Sequence, residues 1–203
     1  MTDNRKTKKE LLGEITDLRK HVEELEKSVD DYQRMEHDLR KLTYTDDLTG
    51  LYNRRGFFTL AEQQLKMASR FKGGILILYA DIDNLKAIND AFGHDKGSSA
   101  IKATGDILRA TYRDSDIIAR IGGDEFVVFP VGTTEDSIKR IIHRLQLNID
   151  QFNTGKSSVF ELSVSFGIAK CGPKSYQDLE QLLKIADNAM YRQKRAKKQA
   201  TAH

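Results

Sequence analysis

The chain has 203 residues, enough for one domain of ordinary size plus an extension; 39% are hydrophobic and 31% charged, a mix that suits a globular domain joined to a polar helix. A formal net charge of +3 gives no general case for nucleic acid as a partner, and the single cysteine, Cys171, rules out an intrachain disulfide and points to a cytoplasmic setting. No apolar run approaches the ~20 residues of a membrane span, so no membrane is expected, and residues 1–10 are polar and basic, unlike a secretory signal.

Residues 5–42 lack proline and are dense in Lys and Glu. Apolar residues fall at Leu11, Ile15, Leu18, Val22, Leu25, Val29, Tyr32 and Leu39, in steps of four and three. That is a heptad seam, with Ile15, Val22 and Val29 at a and Leu11, Leu18 and Leu25 at d. β-Branched a with leucine d favours a parallel two-stranded coil. Glu36, beside Met35, interrupts the last a position. A single amphipathic helix lying on its own domain is the plainer reading, but the stripe is narrow for that. The expectation is a coiled-coil dimerisation helix over residues 1–42, forming a homodimer, followed by a globular domain over 43–203.

That domain opens with Asp46-Asp47-Leu48-Thr49-Gly50-Leu51-Tyr52-Asn53-Arg54-Arg55, a turn leading into a helix over about 54–70. A folded joint, with buried leucines and paired arginines, is the expected role. Gly73-Gly74 ends the helix. Ile75 to Ala80 is a near-continuous apolar run, as in a strand covered on both faces, and Asp81-Ile82-Asp83 closes it. Helices are predicted over about 85–92 and 96–112. Asp116–Ile121 and Phe126–Phe129 are short apolar runs around Gly122-Gly123, which reads as a β-hairpin. A helix over 135–152, an alternating strand over 160–169, a loop over 170–176 and a last helix from Ser175 to about Lys197 complete the chain. The order predicts an α+β fold, an antiparallel-type sheet with helices packed on one face.

The chemistry-bearing residues sit at the ends of these strands. Asp81 and Asp83 close one; Asp124 and Glu125 stand at the hairpin tip. Solvated turn carboxylates are the plainer reading for each alone. If the two strands are neighbours, however, the carboxylates meet, and unneutralised carboxylates repel. Such a meeting suits a divalent cation and phosphate.

The segment Arg120-Ile121-Gly122-Gly123-Asp124-Glu125-Phe126 resembles the hallmark of the GGDEF family, the diguanylate cyclases. The resemblance extends from about Asp46 to Lys198. Asp81-Ile82-Asp83-Asn84-Leu85-Lys86-Ala87-Ile88-Asn89-Asp90-Ala91-Phe92-Gly93-His94-Asp95-Lys96-Gly97-Ser98 is similar to the family's D-x-D-x-F-K-x-x-N-D-x-x-G-H-x-x-G-D, and Ala186-Asp187-Asn188-Ala189-Met190-Tyr191-Arg192-Gln193-Lys194 to its A-D-x-A-x-Y-x-A-K. The resemblance implies a palm- and adenylyl-cyclase-like fold that condenses two GTP into cyclic di-GMP with release of pyrophosphate. It implies Mg²⁺, with Mn²⁺ able to substitute, held by Asp81, Asp124 and the carbonyl of Ile82. Asp124 is where the family places a base for the ribose 3′-hydroxyl, and Glu125 is a second metal ligand beside it. Lys86, Lys194 and, less directly, Lys198 would meet phosphates; Asn89 would bond the guanine, and His94 would lie near the nucleotide. Arg113 and Asp116 match the family's R-x-x-D inhibitory site, so cyclic di-GMP is expected as product and inhibitor.

Two departures stand out: Leu85 replaces a phenylalanine, and Ser98 replaces the final aspartate. A carboxylate only accepts, and so matches the guanine edge and rejects adenine N1; a hydroxyl also donates. The serine resembles the hybrid promiscuous branch, which makes cyclic GMP-AMP, and ATP is expected as a co-substrate. The alternatives are a neutral Ser98, an inactive domain that only binds GTP or cyclic dinucleotide, and a coiled-coil scaffold.

Overall fold

A computed structural model describes residues 8–71, 74–132, 135–155, 159–172 and 178–201. The expected Gly73 helix stop, the loop over 173–176 and the helix start at Ser175 lie outside the described residues, as do the side chains of Leu11, Met35, Glu36 and Leu39. The chain divides into two compact units between Thr43 and Tyr44.

Helix α1 spans Lys8–Tyr44 without a break, running through Gly13. Its Ile15, Leu18, Val22, Leu25, Val29 and Tyr32 are all exposed. Among the described residues of its own unit, this row of apolar side chains on a charged helix is left uncovered. Among the described residues, no helix is long and apolar enough to cross a membrane.

The second unit is built on four strands: β1 (Ile75–Ile82), β2 (Ile117–Arg120), β3 (Glu125–Phe129) and β4 (Val164–Cys171). Their order is β2-β3-β1-β4 and every pairing is antiparallel. β1 is buried along its whole length. Alternation sends Leu78, Ala80 and Ile82 to one face, where Ile88 of α3 (Leu85–Phe92), Ile101 and Leu108 of α4 (His94–Thr111) and Leu145 of α5 (Glu135–Thr154) cover them. It sends Ile77 and Tyr79 to the other, with Phe57 and Ala61 of α2 (Arg54–Phe71) and Leu182, Ala186 and Met190 of α6 (Leu179–Thr201). The α+β sheet is therefore covered on both faces, not one. The sequence signal for this was in β1 itself, whose apolar run leaves no polar face for water.

Two boundaries differ from the sequence pattern for local reasons. β4 begins at Val164, not at residue 160, because Leu162 is bonded elsewhere: the Asn153 amide donates to its carbonyl, and its N–H donates to Asn153 Oδ1, both at 2.8 Å. Phe160 packs on Phe152, with ring centroids 6.0 Å apart. α4 begins at His94, because Gly93 (φ 86°) breaks from α3 and its carbonyl accepts the Lys96 and Gly97 N–H groups. On the other face, α6 lies so close to β4 that a Cβ at Gly167 would overlap the backbone of Ala186 and Met190.

Candidate active site

The joint after α1 folds onto the sheet edge. Tyr52 forms a bridge with Ala119 of β2, its N–H donating to Ile118 O (3.1 Å) and its carbonyl accepting from Arg120 N–H (2.8 Å). This covers the exposed edge of β2. Asn53 caps α2, its Oδ1 accepting the Gly56 N–H. Arg54 and Arg55 lie over the rings of Phe58 and Tyr44, so among the described residues aromatic faces, not carboxylates, hold these two arginines.

Arg120 ties this joint to the hairpin tip. Its Nη1 donates to both oxygens of Asp46, at 3.2 and 3.0 Å, while Nε and Nη2 donate to the Gly123 carbonyl. Asp46 also accepts from the Thr49 N–H and hydroxyl. Burial alone would raise the Asp46 carboxyl, but the bonds from Thr49 and Arg120 outweigh it and hold it below the usual range.

The end of the sheet gathers the predicted carboxylates. In the register Asp81 stands directly opposite Glu125, and Ile82 N–H donates to Asp124 O at 3.1 Å. Like charges directly opposed across a ladder destabilise it unless each finds a donor. Each does. Lys194 of α6 ion-pairs with Asp81, and the Tyr79 hydroxyl donates to Glu125 Oε1 at 2.9 Å. Burial pushes the Asp81 carboxyl up; the Lys194 ammonium opposes this, and the charges of Asp124 and Asp83 add to it. Burial and the bond to Glu125 likewise push the Tyr79 phenol up.

Asp83 is spoken for. It accepts from Ser163 Oγ (2.6 Å), Ser165 Oγ (2.7 Å) and Lys197 Nζ (2.9 Å). Burial alone would raise this carboxyl, but the three donors hold it low. Lys197, the predicted end of the last helix, thus reaches into the fold and also donates to Val164 O. Lys194 and Lys197, three apart on α6, match Asp81 and Asp83, two apart on β1. Lys194 meets a carboxylate in this structure; Lys198 is exposed.

Asp124 is half-buried, and among the described residues its carboxylate makes no hydrogen bond. Lys86, Asn89, His94 and Ser98 are likewise without an intramolecular side-chain bond among the described residues. α3 begins two residues after Asp83 through Asn84, in the left-handed conformation (φ 56°). The Asn89 amide lies against Gly97, where a Cβ would overlap it, and the half-exposed Ser98 is the next residue of α4. Lys86 and His94 are exposed.

Among the described residues, no group of three or more His, Cys, Asp or Glu converges as a complete metal cage. Asp81 and Asp124 nevertheless bring two interacting carboxylates to a point where one already requires a cation. Two carboxylates completed by phosphate oxygens suit Mg²⁺, which rarely takes an all-protein cage. The donor set fits a divalent ion.

Asp116 is committed to its own turn: its two oxygens accept the Arg113 and Val131 N–H groups, each at 2.9 Å. The Arg113 side chain is exposed.

The family described as "Diguanylate cyclase, GGDEF domain" matches residues 43–200. The chain belongs to that family. Diguanylate cyclase DgcP of Escherichia coli is 34% identical over 156 residues, covering 76% of this chain and 46% of that protein. Cyclic di-GMP phosphodiesterase NbdA of Pseudomonas aeruginosa is 31% identical over 77% of this chain and 20% of its own length. The chain thus spans less than half of these curated relatives. The coiled coil and GGDEF domain of DgcB from Caulobacter crescentus, solved with c-di-GMP, shares the fold at a TM-score of 0.75 and 22% identity, over 88% of this chain and 95% of that one.

In this GGDEF domain, Tyr79, Arg120, Ser163, Ser165 and Lys197 hold the site without having been assigned a role from sequence. The one available signal was alternation, which puts Tyr79 on the face of Asp81 and pairs Ser163 with Ser165.

The Asp46 carboxyl gives a pH signature. Being lower in the folded state, it contributes stability that is full above its ordinary value near 3.8 and is lost as pH falls through the lower folded value. Asp46→Asn should therefore show a shallower loss of stability below about pH 4 than the wild type, in urea unfolding followed at several pH values. Parallel curves would mean that Asp46 gains nothing from Thr49 and Arg120.

Proposed function

We propose that this chain is a divalent-metal-dependent cyclic dinucleotide synthase. It joins two nucleoside triphosphates with release of pyrophosphate, making cyclic di-GMP from GTP and, through Ser98, 3′,3′-cyclic GMP-AMP from GTP and ATP. The observation that carries this reading is the uncommitted Asp124 carboxylate beside a buried, cation-paired Asp81.

In this reading each domain binds one nucleotide. Asn89 and Ser98 read the base; Lys86, Lys194 and Lys198 lie along the phosphates and offset their charge. Asp81, Asp124 and the Ile82 carbonyl, with Glu125 beside them, hold the divalent ion. Mg²⁺, or Mn²⁺ in its place, would supply charge neutralisation at the phosphate oxygens. The 3′-hydroxyl of one nucleotide forms a bond to the α-phosphorus of the other. The bond from that phosphorus to the bridging oxygen breaks, pyrophosphate leaves, and the hydroxyl proton passes to Asp124. A second, reciprocal transfer closes the ring.

One domain holds half of this reaction centre, so two must face each other. The exposed seam of α1 supports a parallel homodimer, which raises the effective concentration of the second domain. The double variant Leu18→Glu/Val22→Glu should sediment as a monomer and lose product formation per chain at low protein concentration. A dimeric, fully active variant would remove the coil from the mechanism.

Ser98 sets base choice because a hydroxyl meets adenine N1 where a carboxylate leaves it unpaired. With Mg²⁺ and equal GTP and ATP, chromatography should show cyclic GMP-AMP from the wild type and a loss of at least about tenfold in that product from Ser98→Asp. Cyclic di-GMP alone from both would keep the enzyme and remove the promiscuity. No product from either, with GTP still bound, would make the domain a nucleotide-binding module.

Product inhibition follows from Arg113, whose exposed guanidinium can stack on and fork to a purine while Asp116 holds the turn. Arg113→Ala should raise the cyclic di-GMP concentration for half-inhibition about tenfold, a loss within the range of one charge-assisted contact. An unchanged inhibition curve would place the inhibitor elsewhere.

A further inference from the structure

The Glu125 carboxylate is constrained at both oxygens. Oε1 accepts the Tyr79 hydroxyl at 2.9 Å, and Oε2 lies against Gly122, where a Cβ would overlap it. Tyr79 stands opposite Val127 in the β1–β3 register, so Glu125 is its diagonal neighbour on the same face of the sheet. The tyrosine is 8% exposed and belongs to the apolar cluster with Ile77, Phe57, Leu182 and Met190. Packing therefore fixes the ring, and the ring fixes the hydroxyl.

The same geometry explains why a donor is required here. Asp81 is directly opposite Glu125, and Lys194 is engaged by Asp81. Among the described residues no other group donates to the Glu125 carboxylate, so without the hydroxyl the side chain would swing away from the opposed carboxylate. We propose that Tyr79 is a positioning residue of the site: its hydroxyl holds Glu125 Oε1 so that Oε2 stays at the hairpin tip, turned to the metal and phosphate position. This rests on the reading of the site as a cyclic dinucleotide synthase. Tyr79 touches no substrate and acts through Glu125. Partners that orient a ligand side chain in this way typically change metal affinity or activity by roughly 10–100-fold when removed.

Tyr79→Phe deletes only the hydroxyl and keeps the ring in the core. It should leave the thermal midpoint close to that of the wild type. Mn²⁺ affinity, titrated by electron paramagnetic resonance with and without GTP, should fall roughly tenfold, and kcat should fall similarly while KM for GTP stays within about twofold. Added to Glu125→Gln, Tyr79→Phe should cause no further loss, because its effect passes through that carboxylate. Wild-type Mn²⁺ affinity in Tyr79→Phe would overturn the proposal, as would an equal loss in the Glu125→Gln background, which would indicate a general packing effect. A wild type that makes no cyclic dinucleotide would instead sink the synthase reading, and the Mn²⁺ titration would still decide the role of Tyr79.

Discussion

The structure depends on how four carboxylates are tolerated at one end of one sheet. Asp81 and Asp83 are both 8% exposed, Glu125 stands opposite Asp81, and Asp124 is next to it in sequence. Unpaired charge in such a place costs far more than any single apolar contact returns. The fold answers with one donor set for each of three of them. Lys194 serves Asp81, Tyr79 serves Glu125, and Lys197 with Ser163 and Ser165 serves Asp83. The Asp124 carboxylate alone is left without a hydrogen bond among the described residues. An acidic cluster in which all members but one are satisfied leaves that one able to accept a proton or a cation.

A second constraint works from the opposite side of the hairpin. Glycines at its tip leave the chain free to bend, so something else must hold it. Arg120 does so by binding the Gly123 carbonyl with one side of its guanidinium and Asp46 with the other. Asp46 belongs to the joint that follows α1, and Tyr52 of the same joint is bonded to both Ile118 and Arg120. The tip that carries Asp124 is thus braced by the segment at which the globular unit begins. A change in the joint has a short covalent and hydrogen-bonded route to the site.

Much of this arrangement was legible in the sequence, and its failures have physical causes. β1, the hairpin, α3 and α5 follow directly from apolar period and glycine placement, because those signals come from burial of each element itself. The start of β4 was misplaced because Asn153, a residue on another element, takes both backbone groups of Leu162. The coverage of both sheet faces conflicts with the one-face reading because connectivity alone does not say on which side a helix returns. Tyr79 and Lys197 stand out in no sequence pattern, one lying inside an apolar run and the other at the end of a predicted helix. Their roles are set by cross-strand register and by the depth of α6 against β4, which Gly167 permits, and neither quantity is written in local pattern.

The residues proposed to read the base and the carboxylates that carry the charge lie on different elements. Asp81, Asp124 and Glu125 belong to β1 and the hairpin, and their positions are fixed by pairing across the sheet. Asn89 belongs to α3 and lies against Gly97 of α4, Ser98 is the next residue of α4, and among the described residues neither side chain shares a hydrogen bond with the acidic cluster. A substitution at Ser98 therefore disturbs no bond that holds Asp81, Asp83 or Glu125 among the described residues. Under the proposed function, that separation leaves base preference adjustable at one position. The acidic end has no such freedom, because each of its satisfied carboxylates shares a strand, a helix or a charge with its neighbour.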